Sequence, residues 1–131
     1  MDELSIRMGD DVVRVRQQVR VVAAKSGLSL VDQTKLVTAA SELARNALMH
    51  GGGGLARIEV VTSGQGRSGV RVGFTDEGPG IADVDRALTD GWSSGDGLGL
   101  GLSGARRLVD EFELTSKPGS GTSVVVVKWS R

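Results

Sequence analysis

The chain has 131 residues, with 16 basic and 16 acidic side chains, one histidine and no cysteine. That length suits a single domain over residues 1–131, and the charge balance gives no chain-wide pull toward nucleic acid or an anionic membrane. The absent cysteines exclude a disulfide framework or a thiolate metal site and favour a reducing cytoplasm, while aliphatic runs such as Val124 to Val127 fall far short of the ~20 residues a membrane helix needs.

Leu4, Ile6 and Met8 alternate with polar neighbours as a half-buried strand does. Gly9-Asp10-Asp11 then reads as a turn and cap before a helix over 12–25, ended by Ser26-Gly27. Val31-Asp32 opens a second helix, in which Leu36, Ala40, Leu43 and Ala47 recur at the spacing of a buried stripe until four glycines from Gly51 stop it. Two alternating runs, 57–62 and 70–75, predict adjacent strands joined by a turn around residues 63–66. Beyond the Pro79-Gly80 loop come a short helix over 83–90, a glycine-serine segment over 91–101 and a helix over 102–111. Runs 112–116 and 123–129 close the chain as a hairpin. Helices gathered on one face of a mixed sheet, an α/β two-layer sandwich, are what this order predicts.

Four stretches stand apart from this framework. Glu42 and Asn46 lie one turn apart on the second helix and so share a face; taken alone they would be a solvated pair. Asp76 ends a strand just before Gly78 and Gly80, which by itself is an ordinary turn. Gly97, Gly99 and Gly101 precede a helix, where free N–H groups attract phosphate. A dinucleotide-binding reading fails there, because the run follows a loop and not the first strand. Gly119-Ser-Gly121-Thr122 alone is a hairpin turn.

Taken in this order, the four stretches resemble the N, G1, G2 and final Gly-x-Gly-Thr boxes of the GHKL superfamily, which includes gyrase, Hsp90, histidine kinases and MutL. The likeness covers almost the whole chain. Val31-Asp-Gln33, Ser41, Ile81, Asp90-Gly91 and Lys128-Trp129-Ser-Arg131 are further similar to the RsbT branch, the switch serine kinases of the bacterial stressosome.

The resemblance implies an ATP site of the Bergerat type, with Mg²⁺ held by Asn46 and the attacking nucleophile polarised by Glu42. It further implies that Asp76 accepts the adenine amino proton, that Gly78 and Gly80 let backbone approach the base, and that Gly97, Gly99 and Gly101 meet the phosphates. Thr122 would support Asp76 by hydrogen bonds. Histidine kinases of the resembled superfamily carry the accepting histidine on a dimerisation domain upstream of the N box, whereas His50 follows that box, so a role capping the helix end or lining the site's edge is expected over phosphate acceptance. Trp92 and Trp129 are expected to pack, not to bind ligand.

The function implied is a serine/threonine-protein kinase acting on a STAS-domain scaffold or antagonist, and then released to a PP2C-type phosphatase. A short lid over 91–97 leaves room for a protein substrate. The alternatives are an anti-sigma kinase that also holds a sigma factor, and a non-catalytic adaptor ordered by ATP.

Overall fold

The computed structural model describes residues 1–80 and 101–131. The expected helix over 83–90 and the segment 91–100, with Trp92, Gly97 and Gly99, lie outside the described residues. The elements run β1 (Asp2–Ile6), α1 (Gly9–Lys25), α2 (Leu30–Met49), β2 (Gly54–Thr62), β3 (Ser68–Asp76), α3 (Gly101–Arg107), β4 (Glu111–Ser116) and β5 (Thr122–Trp129). The strands form one sheet in the order β1-β2-β3-β5-β4.

The α/β sandwich is as the sequence predicts, but the sheet is not mixed: all four pairings are antiparallel. Two helices separate β1 from β2, so the chain comes back to the end of the sheet where β1 finishes, and β2 starts beside Ile6 and runs antiparallel to β1. A single described helix lies between β3 and β4, which run the same way, yet β5 stands between them and pairs antiparallel with both.

Alternation along each strand sends Ile6, Ala56, Ile58, Val70, Val72, Phe74, Val124 and Val126 into one buried core with Val15, Val19 and Ala23 of α1 and Leu36, Ala40, Leu43 and Ala47 of α2. The opposite sheet face mixes apolar residues such as Val125 and Val127 with ion pairs, Arg57 to Glu3 at 3.0 Å and Arg71 to Glu59 at 2.6 Å. Such exposed pairs contribute little to stability. On that face the Trp129 ring covers Gly69, where a Cβ would come within 2.6 Å of it, and its Nε1–H donates to Glu111 at 2.7 Å. Trp129 is therefore a packing residue.

Two helix boundaries depart from expectation. α1 begins at Gly9 because the Asp11 carboxylate accepts the N–H groups of Arg7 (2.8 Å) and Met8 (3.1 Å), which closes the first turn. The Arg7 N–H bond holds the Asp11 carboxyl below its ordinary range. Met8 is accordingly the exposed N-cap residue of α1 and not part of β1. α3 ends at Arg107, four residues early, and the Asp110 N–H then donates to Val127 O at 2.9 Å, committing this stretch to the sheet.

Far from the motif residues, the start of α2 meets the end of β5. Lys128 continues the inward alternation of Val124 and Val126 and is buried, with Nζ 3.6 Å from Asp32 and 3.4 Å from Asp110. Arg131 pairs with the same two carboxylates. The segments Val31-Asp-Gln33 and Lys128-Trp129-Ser-Arg131, nearly a chain length apart, thus form one charged cluster.

Burial pushes the Asp110 carboxyl up, but the Trp129 N–H and the Lys128 and Arg131 charges outweigh it and hold it below the usual carboxylate value. A carboxylate depressed in the folded state stabilises above its unfolded pKa, about 3.9, and that contribution is lost as pH falls through the lower folded value. Asp110→Asn is therefore expected to lower the urea midpoint at pH 7, with the difference from wild type shrinking as pH falls below the ordinary carboxylate range. A midpoint difference independent of pH would refute this.

Candidate nucleotide site

α2 carries the first two residues of the site. Ser29 caps it by accepting the Asp32 N–H at 3.1 Å, and its inner stripe packs on the sheet, which fixes the rotation of the helix. Glu42 is thereby turned inward and is only 7% exposed, while Asn46, one turn on, is half-buried. The Gly101 N–H at the start of α3 points to Glu42 Oε1 at 3.4 Å, a long contact that joins the N-box helix to the last glycine of the G2 run. Glu42 is therefore not a solvated side chain of an exposed helix face.

His50 is the exposed C-cap residue of α2, its N–H donating to Asn46 O at 2.9 Å, as expected for a helix-end role. The glycines after it bring the helix end against Asp76. A Cβ on Gly51 would lie 2.3 Å from the Asp76 Cγ, so only glycine lets the carboxylate stand there. Asp76 Oδ1 accepts the Gly78 N–H at 2.9 Å.

The G1 glycines serve protein packing: Gly78 sits against Gly51 Cα, and Gly80 against the Lys117 carbonyl. Residues 119 and 79 are tied by the Gly119 N–H donating to Pro79 O at 2.7 Å. Contact with a nucleotide base is the expected role of Gly78 and Gly80, and the close backbone approaches recorded here are to the chain itself.

Asp76 of β3 is opposite Thr122 of β5, and Thr122 is opposite Ser116 of β4. All three therefore stand on the helix-covered face, in a polar row that continues the apolar row Phe74, Val124 and Leu114. Thr122 Oγ1 lies 2.9 Å from Ser116 Oγ. Ser116 is absent from the sequence reading; the available signal was a polar residue at the inward position after Phe112 and Leu114.

A cleft of about 650 Å³ opens at this end of the sheet. Asp76 and residues 51–54 border it, but Glu42, Asn46, Gly101 and Thr122 do not, so it forms a flank of the site and not the whole. Among the described residues no group of three or more His, Asp or Glu side chains is placed to cage a metal. A Mg²⁺ ion here would rely on Asn46 together with phosphate oxygens and water, the usual mode for this ion.

The glycines after the N-box helix lie against the strand-end aspartate, which is paired across the sheet with the hairpin threonine. Residues 31–130 match the model of the histidine kinase-, DNA gyrase B- and HSP90-like ATPases, and the chain belongs to that family. ATP is the nucleotide of the family. Within it the chain is 45% identical over 121 residues to the serine/threonine-protein kinase RsbT of Bacillus subtilis, covering 92% of this chain and 90% of that one. This groups it with the serine/threonine-protein kinases.

It is also 28% identical over 120 residues to an anti-sigma F factor of Thermoanaerobacter, covering 87% of this chain and 82% of the relative. Among solved structures, the RsbU and RsbW domains of a Mycobacterium tuberculosis protein superpose with a TM-score of 0.65 at 25% identity, over all of this chain and 33% of that longer one. The catalytic domain of the histidine kinase ThkA, at 16% identity and a TM-score of 0.53, shares the fold over 99% of this chain and 97% of its own.

Proposed function

We propose that this chain is a Mg-ATP-dependent kinase that phosphorylates serine or threonine on a STAS-domain scaffold or antagonist, and that modification of this partner releases it to activate a PP2C-type phosphatase. The observation that carries the reading is the 45% identity to a serine/threonine-protein kinase across nearly the full length of both chains. The placement of Glu42, Asn46 and Asp76 around one end of the sheet supports it.

Mg-ATP, when bound, supplies the phosphoryl group and neutralises charge during its transfer. Asp76 would hold the adenine amino group and Asn46 the metal, while Gly97 and Gly99 would offer N–H groups to phosphate. Thr122 completes the base end. Glu42, buried beside the Gly101 N–H, takes the proton of the substrate hydroxyl. Among the described residues no helix is long and apolar enough to cross a membrane, and we place the protein's work in the cytoplasm.

The second reading, an anti-sigma kinase that also holds a sigma factor, is favoured by the 28% identity to anti-sigma F factors. One experiment separates the readings. The chain is mixed with candidate STAS proteins and radiolabelled Mg-ATP, and complexes are isolated before and after reaction. Label on the STAS partner, with loss of that partner and gain of a phosphatase, is the expected result. Stable capture of a sigma factor without phosphatase contact would move the assignment to the second reading, and nucleotide binding with no label transferred would leave an adaptor. Asp76→Asn is expected to weaken ADP and ATP alike by calorimetry, since the carboxylate would meet the base common to both; unchanged affinities would remove Asp76 from the site.

A further inference from the structure

We infer that Arg45, together with Lys35, sets specificity for the protein acceptor: the two cations flank Glu42 on the outward stripe of α2 and dock a serine- or threonine-bearing segment that carries carboxylates of its own. The inference rests on the kinase reading above. Residues 31, 35, 38, 42, 45 and 49 of α2 fall on one stripe, because steps of four and three alternate along it. Val31, Lys35, Thr38 and Met49 are exposed, Arg45 is half-buried, and Glu42 alone is buried. The start of α3 accounts for that exception, with the Gly101 N–H against the Glu42 carboxylate. The proposed base thus lies within an otherwise accessible line of side chains, with Thr38 one turn before it and Arg45 one turn after.

Charge on the helix layer is one-sided. α1 and α2 carry Arg14, Arg16, Arg20, Lys25, Lys35 and Arg45 against four carboxylates, of which only Asp10 is exposed. Asp11 accepts backbone N–H groups, Asp32 is held by Lys128, and Glu42 is buried. A chain with 16 charges of each sign therefore turns a basic surface outward from its helices. Among the described residues neither Lys35 nor Arg45 has an ion-pair partner, although Arg45 stands only three residues from Glu42. A guanidinium in that position offers its planar fork to an arriving carboxylate. Lys35 lies about 10 Å before Glu42 along the helix axis and Arg45 about 5 Å after it. An extended acceptor segment covers those spans in roughly one to three residues, so carboxylates that close to the reacting hydroxyl meet a cation. Met49, more than half exposed, adds an adaptable apolar contact beyond Arg45. A segment with basic flanks would meet like charge instead.

Arg45→Gln is expected to raise the KM for the protein acceptor about tenfold, the scale of one hydrogen bond to a charged group, with kcat and Mg-ADP affinity within a few-fold of wild type. Arg45→Lys, which keeps the charge and loses the fork, is expected to fall between the two. Lys35→Gln should act in the same direction and more weakly, since that side chain is exposed. The measurement is steady-state phosphorylation of the STAS protein that takes label in the experiment above, at low and high salt, with calorimetry of Mg-ADP and Mg-ATP on the same preparations. Wild-type KM should climb with salt, and that of Arg45→Gln should climb less. Mass spectrometry then locates the modified residue, and Asp and Glu within three positions of it are changed to Asn and Gln. Such acceptors should show a raised KM with wild type and little further change with Arg45→Gln.

An unchanged KM in Arg45→Gln overturns the inference, and so does a modified site with no carboxylate within three positions or an acceptor variant whose loss adds in full to that of Arg45→Gln. A Gln variant that binds ATP weakly and ADP normally would put the guanidinium on the γ-phosphate, which overturns it as well. These results would leave the kinase standing. Nucleotide binding with no label on any STAS protein would overturn both.

Discussion

Glu42→Gln is expected to slow phosphoryl transfer to a STAS substrate by about 10²- to 10⁴-fold while leaving ADP affinity within a few-fold of wild type. The magnitude is that of losing one positioned base. The choice of glutamine follows from the structure: Glu42 is buried and its Oε1 faces the Gly101 N–H, so alanine would remove an acceptor at the junction of α2 and α3 as well as a base. The glutamine carbonyl can still accept that N–H, so the base is removed while this contact is kept.

Asn46→Ala should behave differently, lowering affinity for Mg-nucleotide and rate together, because its amide oxygen is the side-chain ligand proposed for the metal. Single-turnover phosphorylation and calorimetry on the same preparations separate the two variants. A Glu42→Gln enzyme that transfers phosphate at the wild-type rate would rule out Glu42 as the base.

Much of this site is legible in the sequence because its residues lie on local patterns. The three-to-four spacing of Leu36, Ala40, Leu43 and Ala47 sets the rotation of α2, and the i, i+4 relation then places Glu42 and Asn46 together without knowledge of the rest of the fold. Asp76 is likewise readable as the last residue of an alternating strand. What spacing does not encode is which strand lies beside which. The insertion of β5 between β3 and β4 makes the sheet antiparallel, and it also puts Thr122 between Asp76 and Ser116.

From the sequence, Ser116 is a polar residue before a turn, and its contact with Thr122 appears only when β4 is docked. The end of α3 is lost for a similar reason: residues 108–110 have acceptable helical composition, but the Asp110 N–H is taken by β5. Local propensity yields where a long-range hydrogen bond is available.

Lys128→Met is expected to destabilise the fold by about 3 kcal/mol or more, the scale on which a buried ion pair is broken from one side. Lys128 is 4% exposed and Asp32 6% exposed, so losing the ammonium leaves a carboxylate that water cannot readily solvate. Arg131 remains 3.5 Å from Asp32, but its side chain is more than half exposed, and it can offset only part of the loss.

The same physics predicts that a second change will restore stability. Asp32→Leu in the Lys128→Met background removes the stranded charge and should recover most of the loss, because replacing both members of a buried pair by apolar groups is often neutral. Urea unfolding at pH 7 of the two single variants and the double variant gives the coupling directly. Asp32 precedes Glu42 by ten residues, about 15 Å along the helix, so the double variant should retain nucleotide affinity if it folds. A Lys128→Met loss below about 1 kcal/mol would place the pair with ordinary surface salt bridges. A double variant no more stable than Lys128→Met would mean that the carboxylate stranded by the loss is Asp110, 3.4 Å from the ammonium, and not Asp32.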